Sequence, residues 1–141
     1  MRLNILLMVF LSLCYGCGVS KSKEEAEKVV ARHFSSIATN GYNMAINDYG
    51  AQFFQKTSKD DLKNAFAKIQ SKLGIYQNYT VISWHLFKTA STARIGTTVV
   101  LQCRVSYSLH SDVETFTLFK ERTEEDYKII GHNINSDLIN N

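Results

Sequence analysis

The sequence predicts one α+β domain, three helices followed by a curved four-stranded antiparallel meander that packs against them. Three observations carry this expectation. Apolar residues recur at three- and four-residue spacing from Ala26 to Leu73, and at every second position beyond Tyr76, so the chain changes period once. The links between the extended segments are short and polar, as antiparallel neighbours require. The 141 residues contain no proline and seven scattered glycines, so no linker divides them. A chain of this length buries roughly two thirds of its unfolded surface in one core.

Composition narrows the partners. With 16 basic and 13 acidic residues interspersed, the formal charge of +3 is too small and too mixed to act as a footprint for nucleic acid. A hydrophobic content of 45% with 21% charged residues is that of a globular domain.

The N-terminus reads as an address. Arg2 precedes an apolar run from Leu3 to Leu13 that only Asn4 and Ser12 interrupt. About eleven residues is too short for a bilayer span, which takes about 20, and matches the apolar region of an export signal. The signal ends in Leu13-Cys14-Tyr15-Gly16-Cys17. This resembles the lipobox of bacterial lipoproteins, in which a cysteine behind a small residue is acylated and becomes the first residue after cleavage. The resemblance implies a leader over 1–16, an acylated Cys17 with a short tether over 17–21, and the domain over 22–141. It also implies a membrane partner reached through the lipid, outside the cytoplasm of a bacterial cell and on the outer membrane where the cell has one. Leu11-Ser12-Leu13-Cys14 is a rival lipobox, which leaves Cys14 as the alternative acylated residue. If both thiols are incidental, the product is a soluble secreted protein. Cys103, on the apolar side of an extended segment, reads as a small buried hydrophobe.

The first helix is expected to start at the capping box Ser22-Lys23-Glu24-Glu25. Ala26, Val29, Val30, Phe34, Ile37 and Ala38 form its apolar stripe, and Asn40 or Gly41 ends it. His33 borders the stripe as a packing residue, with no second ligand at metal spacing. Tyr42, Ala45, Ile46 and Tyr49 suggest a short second helix that closes at Gly50. The third has Ser58 as cap, Asp61 three residues on, a stripe of Leu62, Ala65, Phe66, Ile69 and Leu73, and Gly74 as its stop. Asp60 and Asp61 then serve the helix dipole.

Four strands follow. Tyr79 to Phe87 sets Thr80, Ile82, Trp84 and Leu86 on one face and Tyr79, Val81, Ser83, His85 and Phe87 on the other. Thr97 to Ser108 places Val99, Leu101, Cys103, Val105 and Tyr107 on one side, and reads as the central strand. Val113 to Lys120 and Tyr127 to Ile134 complete the meander.

Apolar residues on both faces of several strands suit a curved sheet wrapped around a helix, the cone of nuclear transport factor 2-like and cystatin-like folds. The chain resembles a family of small bacterial secreted and lipoprotein domains of unknown function. The resemblance rests on Asp61-Leu62 through Ile69 to Lys72-Leu73-Gly74, Val99-Val100-Leu101-Gln102, Glu114 to Lys120, and Tyr127 to His132. It implies a fold and an envelope location and supplies no catalytic residue. His132 stands where that family often has an aromatic.

Nothing in the sequence forms a phosphate loop, a zinc spacing or a nucleophile elbow, so no cofactor, metal or catalytic set is expected. Trp84, Tyr107, Glu114, Phe116 and His132 are the candidate lining of a cavity on the concave face. Glu114 reads first as a cross-strand partner of Arg104, and as a base only if the cavity desolvates it. The expected function is non-enzymatic binding of a small hydrophobic ligand or a partner protein. A cone-fold enzyme using Glu114 or His132, and a purely structural interaction module, are the alternatives.

Overall fold

The computed structural model describes residues 14–91 and 94–140, so all but the last three positions of the expected leader lie outside the described residues. The first helix, α1, spans Cys14–Asn40. It runs through 17–21 and through Ser22 without a break, so the capping box expected at Ser22 does not form. Side-chain pairs four residues apart carry the helix across this stretch: Ser20 with Glu24 at 3.4 Å, Lys21 with Glu25 at 3.9 Å, and Lys23 with Glu27 at 2.5 Å. Its buried stripe is Ala26, Val29, Val30, His33 and Phe34.

Between Gly41 and Ser58 the chain forms three short turns rather than one helix. These are α2 (Tyr42–Ala45), a 3-10 turn over Ile46–Asp48, and α3 (Ala51–Phe54). Arg32 on α1 binds the buried carboxylate of Asp48 at 2.6 Å and fixes the 3-10 turn to α1. The helix α4 spans Lys59–Leu73 with the capping box expected for it, since the Ser58 hydroxyl accepts from the Asp61 amide and the Asp61 carboxylate accepts from the Ser58 amide. Gly74 ends it at φ 91°, a conformation natural only to glycine.

The strands β1 (Tyr76–Ala90), β2 (Ile95–Tyr107), β3 (Ser111–Glu121) and β4 (Lys128–Asn135) pair antiparallel in sequence order. The fold is thus α+β, with an open meander in which β1 and β4 are the edges. A last turn of helix, α5 (Asp137–Asn140), follows β4.

The apolar residues on both faces of β1 have a local cause. Val81 lies opposite Cys103 and Ser83 opposite Gln102, so Ile82 is an extra residue that partners nothing. Beyond this bulge the side-chain parity inverts. Tyr79, Val81, Trp84 and Leu86 therefore share the inner face, which corrects the grouping of Ile82 with Trp84 and Leu86. An irregularity between Gly131 and Ile129 does the same in β4, bringing Ile129 and His132 onto one face.

The inner face of β2 and β3, with Val99, Leu101, Cys103, Val105, Phe116 and Leu118, packs with the stripes of α1 and α4 in a single core. That inner side of the sheet is filled by side chains.

Candidate functional site

Three adjacent strands place polar groups inside this core. β2 contributes Tyr107, β3 contributes Glu114, and β4 contributes His132, directly opposite Phe116. Glu114 is 1% exposed. The Tyr107 hydroxyl donates to its Oε1, and its Oε2 lies 2.8 Å from Nε2 of His132. On the far side of the imidazole, Nδ1 is 2.7 Å from the hydroxyl of Tyr49, at the end of the 3-10 turn. The chain Tyr49–His132–Glu114–Tyr107 is complete when the Tyr49 hydroxyl donates to Nδ1 and a neutral His132 donates from Nε2 to the carboxylate. Every polar atom then has a partner, which is the condition for burying such a network. Phe116 supports the imidazole from one face, nearly parallel with centroids 4.2 Å apart.

A second histidine adjoins the chain without joining it. His33 is fully buried, edge-on to Tyr49, Phe116 and His132, and neither ring nitrogen has a hydrogen-bond partner. The Ala45 backbone approaches it without hydrogen-bonding geometry. Burial, and then the neighbouring His132, push its pKa down to about 3. Burial and the Glu114 charge push Tyr42 and the Cys103 thiol up to about 12, and hold Tyr49 and Tyr107 well above the ordinary phenol range. These groups are neutral at physiological pH, and Cys103 is no nucleophile.

Comparison with protein-family models, curated proteins and solved structures finds no match. The chemistry of the site is therefore read from its own atoms.

Two clefts flank α4. One, of about 300 Å³, opens between α4, β4 and α5; Phe53, Leu62, Phe66, Ile69, Ile134 and Ile139 supply apolar walls, and Thr57, Lys68, His132 and Asn133 the polar groups. The other, of about 400 Å³, lies between α4 and the α1–α2 junction beside Tyr42, Lys63, Gln70 and Tyr76. The first has fewer polar groups beside its apolar walls, the usual character of a small-molecule site.

The expected lining residues divide. His132 lines the 300 Å³ cleft. Tyr107, Glu114 and Phe116 lie in packed core and do not line it. Trp84 stands apart, 36% exposed on β1, with the Lys23 ammonium 5.8 Å from its ring. Cys17 falls in the first turns of α1, and Cys14 is that helix's first residue. Glu114 does not pair with Arg104, which lies opposite Val113 on the outer face.

Tyr49 is the site residue that sequence reasoning missed. It reads as an ordinary core aromatic, and its partner is 83 positions away. His33 carried a weak signal, since it borders the α1 stripe.

Among the described residues, no group of three or more His, Cys, Asp or Glu is placed to hold a metal ion. No helix among them is long and apolar enough to cross a membrane. Both Glu114 oxygens and both His132 nitrogens have a hydrogen-bond partner within the protein.

Proposed function

We propose that this protein is a lipid-anchored bacterial cell-envelope protein, acylated at Cys17, that binds a small apolar molecule in the cleft between α4 and β4 without transforming it. The cleft carries the reading. It has apolar walls, few polar groups, and a floor whose one titratable ring is held by its own neighbours. Because α1 and α4 fill the concave face, binding belongs to its β4 margin. The apolar leader and the cysteine behind Gly16 support the envelope location. The helices on an open meander agree with the cone of nuclear transport factor 2-like and cystatin-like folds, and we read the domain as one.

One observation favours an enzyme: Glu114 is buried with Tyr107 and His132 in hydrogen-bond reach. Catalysis would require one of these groups to release its partner as substrate enters.

Intact-mass analysis of the membrane fraction tests the anchor. The wild type is expected to carry acyl mass on a chain beginning at Cys17, and Cys17→Ser to lack it; an unmodified wild type overturns the assignment. Native mass spectrometry of protein extracted from its own membrane tests the ligand. A co-purifying small molecule is expected, and it is lost in Ala65→Trp, which fills the cleft from α4. Retention of the molecule by that variant removes the cleft from consideration.

A further inference from the structure

We infer that the cleft between α4 and β4 selects a medium-chain carboxylate, with the alkyl body along the apolar walls and the carboxylate on Lys68. This rests on the ligand-binding reading above. The charge of the lining is one-sided. Lys68 is the cation in it, and no Asp or Glu belongs to it. The Lys68 ammonium donates to the main-chain carbonyl of Ile139, a neutral acceptor, and no ion pair engages it among the described residues. An ammonium has three donors, so further hydrogen bonds are available at the mouth of the cleft. Thr57 and Asn133 add neutral donors on the same lining.

The chemistry of these groups narrows the class. A lysine is a compact point charge, and one such charge with neutral donors beside it is matched by a singly charged anionic head group. A cationic amphiphile would meet Lys68 with no acid to offset it. The size sets the chain: about 300 Å³ corresponds to roughly ten water-sized volumes, hence an alkyl body of about eight to ten carbons. Each methylene buried there raises affinity roughly fourfold.

Photoaffinity labelling of the full-length protein in its native membrane tests this. Diazirine-bearing octanoate and the matching octanol are compared at equal membrane concentration, and adducts are mapped by mass spectrometry. Octanoate is expected to label Leu62, Ile69 or Ile134 at least fivefold more than octanol. Lys68→Met is expected to remove that preference, and Lys68→Arg to retain it. Equal labelling of the cleft by both probes, or an octanoate preference that survives Lys68→Met, overturns the carboxylate inference and leaves the apolar-ligand reading standing. Labelling of the cleft by neither probe overturns both.

Discussion

Glu114 and His132 sit on adjacent strands and meet at 2.8 Å, the carboxylate 1% exposed and the imidazole at the edge of the cleft. Removal of the carboxylate strands both the Tyr107 hydroxyl and the imidazole, and leaves a void. Glu114→Ala is expected to destabilise the domain by about 3–5 kcal/mol. Glu114→Gln keeps an acceptor for Tyr107 and offers an amide donor to Nε2, with His132 shifting its proton to face Tyr49, so its loss is about 1 kcal/mol. Urea unfolding of both variants decides the matter; equal losses would mean that the network does not act as a unit.

His33 ties stability to acid. Its folded pKa of about 3 lies below the ordinary value of about 6.5. In the window between them the unfolded chain binds a proton that the folded chain refuses, so stability falls as pH falls. The slope from this one group reaches about 1.4 kcal/mol per pH unit and vanishes above pH 6.5. His33→Phe, which keeps an aromatic ring among aromatic edges, is expected to lose acid sensitivity by that amount. Parallel stability-versus-pH curves for the two proteins would remove His33 from the account.

Cys103 is wholly buried, with its thiol pushed up to about 12. In a Cys14→Ser, Cys17→Ser background, maleimide is expected to leave the folded protein unmodified for hours and to label it within minutes in denaturant. Rapid labelling of the folded form would show that the β2–β3 region opens.

Gly96 marks a close approach of chains. A Cβ at this position would lie 2.5 Å from both the Lys120 carbonyl oxygen and the Phe119 ring. The carbonyl belongs to the backbone of β3 and cannot swing aside, so Gly96→Ala must separate β2 from β3 at this end. The expected loss is about 1–3 kcal/mol in thermal or urea unfolding. An unchanged midpoint would show that the two strands part there without penalty.

Local chemistry made much of this fold legible. The bounds of α4 follow from Ser58, Asp61 and Gly74, each of which acts on its own neighbours. The meander follows from period two and short links, and β2 is central as its alternation suggests. What escaped is not written locally. The bulge at Ile82 inserts a residue of ordinary strand type, so the inversion of parity has no signature in the side chains. Ser22 to Glu25 is a sound cap only where nothing upstream continues the helix, and three side-chain pairs do so at the start of α1. Glu114 was matched to the nearest opposite charge, Arg104, whereas its partners come from the register of β2 and β4. Tyr49 joins the chain only because the 3-10 turn and β4 are bridged at Ile129, where the Gly50 amide donates to the Ile129 carbonyl at 2.8 Å.

Helix α1 is continuous from Cys14 to Asn40, and the first residue of its buried stripe is Ala26. Residues 18–21, about 6 Å of exposed helix, precede the first contacts with the body, Lys23 over the Trp84 ring and Glu25 with Lys120. A grip on the chain at Cys17 would be a grip on a helix that Lys23 and Glu25 already join to the sheet. Tilt applied at that end would pass along the helix to Phe34 and the Tyr76 and Tyr79 rings stacked on it.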